Sequence, residues 1–163
     1  MALKRWDVTV DLAKRFDLKT FAEIGVNHGK HVEQILMRVP QSTVVAVDPW
    51  APWSLVDPVS AEQVFDRRAA LYPGRVTKLK MIGVEAAALY PDSFFDFVFI
   101  DDDHTYPVTK ANIEAWLPKV KAGGIIAGHD YRNGFPGVDK AVEAVLDEFN
   151  LEPDSVWWAK RYH

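Results

Sequence analysis

The 163-residue sequence has no cysteine. That excludes disulfides, zinc–thiolate sites and a thiol nucleophile. No apolar run approaches the length of a membrane span, and the first residues, MALKRWDVTVDLAKRF, have no apolar core of the secretory kind. Membrane insertion is not expected; a cytoplasmic location is. Excess positive charge is missing as well. Nineteen Lys+Arg against 23 Asp+Glu give a formal net charge of −4, which argues against a broad basic surface for nucleic acid. Repeats, low-complexity tracts and a linker that would split the chain are also lacking, so residues 1–163 read as one domain.

What is present is alternation. FAEIGV (21–26), TVVAVD (43–48), RVTKLKM (75–81), FFDFVFID (94–101), GIIAGHDY (124–131) and SVWWAKR (155–161) read as strands. Between them lie stretches of helical spacing: 28–39, with Val32, Ile35, Leu36 and Val39 on one face, then 61–72, 84–90, 108–120 and 138–149. A polar helix precedes the first strand. Pro118 should end or kink the 108–120 helix, and a Gly-Gly turn should precede the fifth strand. Strands and helices alternating at this spacing imply an α/β, doubly wound, mostly parallel sheet with helices on both faces. Ligands of such sheets bind beyond the carboxyl ends of the strands.

Those ends carry the chemistry. The first strand runs into E-I-G-V-N-H-G, a turn with Gly25, Asn27, His28 and Gly29 in which glycine lets a ligand approach the backbone. Its G-x-x-x-G spacing is not the dinucleotide fingerprint, and a plain strand-to-helix turn would look the same. The second strand ends at Asp48, placed to accept hydrogen bonds from a ribose or to cap a turn. The stiff loop after it, with Trp50, Pro52 and Trp53, could cover a ligand or pack on the core. The fourth strand ends in Asp101, Asp102, Asp103 and His104, and the fifth in His129 and Asp130. Adjacent strands would bring these together near His28. Such a cluster suits oxygen ligation of a divalent cation, or a histidine general base beside its carboxylate. Asp102 or Asp103 could equally cap the following helix.

Taken together, FAEIGVNHGKH, VVAVDPW, FVFIDDDHTY and KAGGIIAGHDY resemble the class I S-adenosylmethionine-dependent methyltransferases, in particular a small bacterial branch. The resemblance covers roughly residues 20 to 150. It implies a Rossmann-like sheet of order 3-2-1-4-5 plus one or two short C-terminal strands. It implies a cofactor site of Glu23, Gly25, Asn27, Gly29, Asp48, Gly83, Val84 and Asp101. Asp101 matches the aspartate near the transferred methyl, and magnesium in related enzymes would place metal ligands at Asp101, Asp130 and His129. Asp102 departs from the usual glycine and His129 from an aspartate. The expected chemistry is methyl transfer to a small-molecule acceptor, most readily a hydroxyl of a small molecule or sugar. His104 is the leading general base, His129 the second, and Asp101 and Asp130 would orient it or hold a cation. A metal-dependent hydrolase is the alternative, but it leaves the glycine turn and Asp48 without a joint purpose. A non-catalytic S-adenosylmethionine-binding module is the third reading. A homodimer could complete the acceptor pocket, with Trp157 and Trp158 as interface aromatics or as core.

Overall fold

The computed structural model describes residues 2–51 and 57–162. In chain order it forms α1 (Arg5–Phe16), β1 (Thr20–Ile24), α2 (Lys30–Arg38), β2 (Thr43–Val47), α3 (Pro58–Ala69), β3 (Val76–Leu79) and α4 (Gly83–Ala87). It continues with β4 (Phe95–Ile100), α5 (Tyr106–Trp116), β5 (Val120–Gly128), α6 (Pro136–Val145), β6 (Asn150–Glu152) and β7 (Val156–Lys160). One sheet runs β3-β2-β1-β4-β5-β7-β6. The first five strands in that order pair in parallel, and β7 and β6 close the edge as an antiparallel hairpin. This is the doubly wound order that the resemblance implies, with β6 reduced to three residues at the edge.

The central strands are apolar on both faces because both are covered. Phe21, Val44, Phe97 and Phe99 pack with α1, α2 and α3 residues such as Leu12, Ile35 and Phe65. Ala22, Ile24, Val98 and Ile100 pack with Ala86, Ile113, Trp116 and Val142 on the other side. Each buried large side chain contributes roughly 1.5–3 kcal/mol, so the strand ends are held by a rigid platform. In α2, Val32, Ile35 and Leu36 are buried as their spacing predicts, whereas Val39 lies past the helix end.

Pro118 acts as expected: α5 stops at Trp116 and a short 3-10 turn carries Leu117–Lys119 into β5. The Gly-Gly pair lies within β5 and not before it. Gly123 has φ +83 and donates its N–H to the Arg161 carbonyl at 2.6 Å. A Cβ on Gly124 would lie 2.7 Å from the Asp96 carbonyl oxygen. The left-handed φ favours glycine at 123, and close backbone approach requires it at 124. Trp157 and Trp158 are buried within this chain, so the interface reading fails for them. Successive residues of a strand face opposite sides, so Trp158 joins the core on the α1–α3 side and Trp157 the core on the other. Pro52 and Trp53 lie outside the described residues. No helix among the described residues is long and apolar enough to cross a membrane.

Candidate active site

The turn after β1 is shaped by close packing and one carboxylate. Gly25 has φ +88, and a Cβ there would lie 2.1 Å from the Asp101 carbonyl oxygen, so only glycine lets β1 and β4 end side by side. Gly29, at φ +74, caps α2 where a Cβ would strike the Phe65 ring. Asp48 Oδ2 accepts from the Val26 and Asn27 amides at 3.0 and 2.8 Å, and Oδ1 accepts from the Trp50 amide at 2.7 Å. A carboxylate has about four lone-pair sites, so the turn leaves Asp48 capacity for a further donor. Asn27 is exposed at the tip and His28 is half-buried. His28 lends its carbonyl to Arg68 Nη1 at 2.6 Å. The Trp50 indole packs on Phe65, with centroids 5.1 Å apart, and donates to the Asn27 carbonyl at 3.0 Å. It is part of the wall that holds the turn.

Glu23 lies behind that turn. It is buried, with Oε2 3.3 Å from His31 Nδ1, while His31 Nε2 meets Thr9 Oγ1 at 2.9 Å. Gly83 opens α4, and a Cβ would lie 2.2 Å from Asn112 Oδ1, so packing against α5 accounts for the glycine. Val84 beside it is exposed.

The ends of β4 and β5 bring the remaining residues together. Asp101 Oδ2 accepts from Arg5 Nη1 at 2.7 Å, and the same nitrogen lies 3.0 Å from His129 Nδ1. His129 Nδ1 is also 3.1 Å from Asp130 Oδ1. One tautomer accepts from Arg5 and the other donates to Asp130, so the ring cannot satisfy both at once. His104 Nε2 meets Asp130 Oδ2 at 2.8 Å, and Asn133 Nδ2 donates to Asp130 Oδ1 at 2.6 Å. The His104 ring stacks on Phe135 at 4.2 Å and 22°. Asp103 accepts from the Thr105 amide at 2.7 Å and so has a local role at the start of α5. Asp102 accepts from Asn112 Nδ2 at 2.7 Å, but its Oδ1 is buried with no partner among the described residues.

The electrostatics divide the group. Burial pushes Asp101 up to about 6, against the opposing pull of Arg5 and His129. Burial, then the neighbouring Asp103 charge, push Asp102 up to about 7. Burial also works to raise Asp130, but hydrogen bonds from His104, His129 and Asn133 outweigh it and hold the carboxyl well below the usual range. The hydrogen bond to Asp130 raises His104. The result is one ionised carboxylate bound to one histidine with raised proton affinity, beside an aspartate poised close to neutrality.

Asp101, His104 and Asp130 can each offer a ligand atom within 4.8 Å of the others. Within the expected set of Asp101, Asp130 and His129, Arg5 Nη1 already contacts Asp101 Oδ2 and His129 Nδ1. Sequence reasoning missed Arg5, Asn133 and Phe135. Asn133 and Phe135 follow the GHDY segment and could have been flagged by proximity, whereas nothing in the sequence ties Arg5 to Asp101.

A model of a methyltransferase domain family matches residues 22–131. Among solved structures, a protein from Klebsiella pneumoniae described as a candidate O-methyltransferase aligns with TM-score 0.77 at 18% identity, covering 100% of this chain and 82% of its own. TomG, the Streptomyces achromogenes O-methyltransferase of tomaymycin synthesis, solved with S-adenosylmethionine, aligns with TM-score 0.71 at 16% identity over 98% of this chain and 80% of its own. CalS11, a TDP-rhamnose 3′-O-methyltransferase of calicheamicin biosynthesis, aligns with TM-score 0.69 at 21% identity over 97% and 81%. At such identities the likeness is one of fold. No curated protein matches the sequence.

Proposed function

We propose, for a chain that belongs to this methyltransferase domain family, that it moves a methyl group from S-adenosylmethionine to a hydroxyl of a small molecule or sugar. The residues fit the cofactor. The Gly25–Gly29 turn sets the end of β1 tightly beside that of β4, Asp48 keeps acceptor capacity for ribose hydroxyls, and the acidic ends of β4 and β5 would favour a cationic sulfonium. Bound there, the cofactor supplies an electrophilic methyl that leaves as the sulfonium becomes a neutral thioether.

The observation that carries the reading is the His104–Asp130 pair. Asp130 holds the proton on His104 Nε2, which leaves the Nδ1 lone pair to receive the acceptor hydroxyl proton. Asp130 also stabilises the imidazolium that results, as its upward pull on His104 indicates. Asp101, just past the end of β4, would border the transferring methyl, with His129 Nδ1 lying between it and Asp130 at 3.7 and 3.1 Å. Alignment of acceptor and methyl accounts for much of the acceleration in such a displacement. TomG and CalS11 are named for oxygen acceptors, one of them a sugar, which supports the hydroxyl assignment.

The test is formation of S-adenosylhomocysteine with panels of phenols, catechols and nucleotide sugars. Turnover stimulated by one hydroxyl class and lost in His104→Ala, with cofactor affinity retained, is expected. Undiminished turnover in His104→Ala would remove the base from this account.

A further inference from the structure

We infer that Arg5 is the resident cation of the site, standing where a divalent ion would otherwise balance Asp101, and that it positions this carboxylate for a metal-independent reaction. For the reaction it serves, the inference rests on the proposed methyl transfer; its geometry does not.

Three observations carry it. First, a single guanidinium nitrogen is 2.7 Å from Asp101 Oδ2 and 3.0 Å from His129 Nδ1. An ion using those atoms would have to share their position with a charge that arginine cannot give up. Second, both oxygens of Asp130 are engaged within the protein, Oδ2 by His104 and Oδ1 by Asn133. Third, Arg5 is fixed at both ends. Its backbone amide donates to Asp154 Oδ2 at 2.8 Å, and it opens α1, whose Val8, Leu12 and Ala13 are buried in the core. Arg38 Nη1 on Asp7 Oδ1 at 2.7 Å and Thr9 on His31 tie the same helix to α2. A charge held by a docked helix is not a mobile surface arginine. The Arg5 and Asp101 side chains are 30% and 12% exposed, so water screens the pair less than it would a surface ion pair.

Arginine carries one positive charge where magnesium would bring two. With Asp101, Asp130 and Asp102 close by, that leaves room for the positive charge of a sulfonium. Arg5 acts through Asp101, so it is a positioning residue.

The experiment titrates chelator-treated wild type and Arg5→Ala with Mn2+ by electron paramagnetic resonance and with Mg2+ by calorimetry, with Arg5→Met as the variant that keeps the side-chain stem. Wild type is expected to bind neither ion at micromolar concentrations. The variants are expected to take up one equivalent of Mn2+, abolished when Asp101→Asn is added, and Arg5→Lys should exclude the ion as wild type does. Stoichiometric binding to wild type that Asp101→Asn removes would overturn the proposal. So would folded Arg5→Ala and Arg5→Met proteins that bind no metal. Titrating the same wild-type sample with S-adenosylmethionine tests the methyl-transfer reading separately, because the metal readouts require no turnover.

Discussion

Two aspartates on β4, Asp96 near its start and Asp101 just past its end, show how the same side chain serves two purposes. Asp96 accepts from the Lys19 amide, the Thr20 amide, the Thr20 hydroxyl and Lys121 Nζ. Burial works to raise its proton affinity, but these donors win and the carboxyl is lowered. Asp101 meets one guanidinium, and there burial wins, pushing it up to about 6. One carboxylate is fully partnered and stitches β1 to β5 across the strand start. The other is left short of partners at the end where a ligand arrives. Incomplete satisfaction, and not negative charge itself, distinguishes the proposed functional end of the sheet.

Substitution at each aspartate should break this comparison in opposite ways. Asp101→Asn should cost about 100-fold or more in turnover while shifting Tm by no more than about 3 °C, read from initial rates and calorimetric melting. Asp96→Asn should do the reverse. Loss of a multiply hydrogen-bonded carboxylate should cost about 2 kcal/mol, or about 6 °C in Tm for a chain of this size, with turnover at 25 °C unchanged. Because the folded carboxyl of Asp96 is lowered, its contribution is complete above the ordinary value of 3.8 and is lost as pH falls through the folded value. The Tm gap between wild type and Asp96→Asn should therefore close in acid.

The first two strands sharpen the contrast, because there the site is built from backbone. Asp48→Ala frees the Val26 and Asn27 amides and should weaken S-adenosylmethionine about tenfold, roughly 1.4 kcal/mol by calorimetry. The side-chain half should instead respond to pH. His104 is raised above its ordinary 6.5, so the ascending limb of the rate profile should lie above that value. Asp130→Asn should move the limb down, since the hydrogen bond to Asp130 is the main cause of the shift. The smallest effect is expected at Asp102. Its folded value of about 7 exceeds the ordinary 3.8, so the native state holds its proton more tightly and stability falls as pH rises between the two. Asp102→Asn should flatten that slope and raise Tm at pH 8 by about 3 °C.

The difference between the two halves also governs how much could be read from sequence. The β1 turn and Asp48 were legible because a tight turn and the carboxylate beneath it leave a local signature of glycines and a strand-ending aspartate. The clustering of Asp101, His104, His129 and Asp130 followed from strand order alone. Arg5 did not, since its partner is 96 residues away and α1 reads as an ordinary polar helix with a buried stripe. The placement of Trp157 and Trp158 was equally open, because a strand apolar on both faces looks the same whether the second face meets a helix or another subunit. The short edge strand β6 was expected only from the resemblance, since its own three residues are exposed and pair with β7 without an apolar pattern.

Calorimetric titration of wild type and Asp48→Ala with S-adenosylmethionine in the presence of chelator tests the central claim most directly. The account predicts one micromolar site in wild type, unchanged when magnesium replaces the chelator and about tenfold weaker in Asp48→Ala. No binding by wild type, binding that requires magnesium, or equal binding by the two proteins would contradict it.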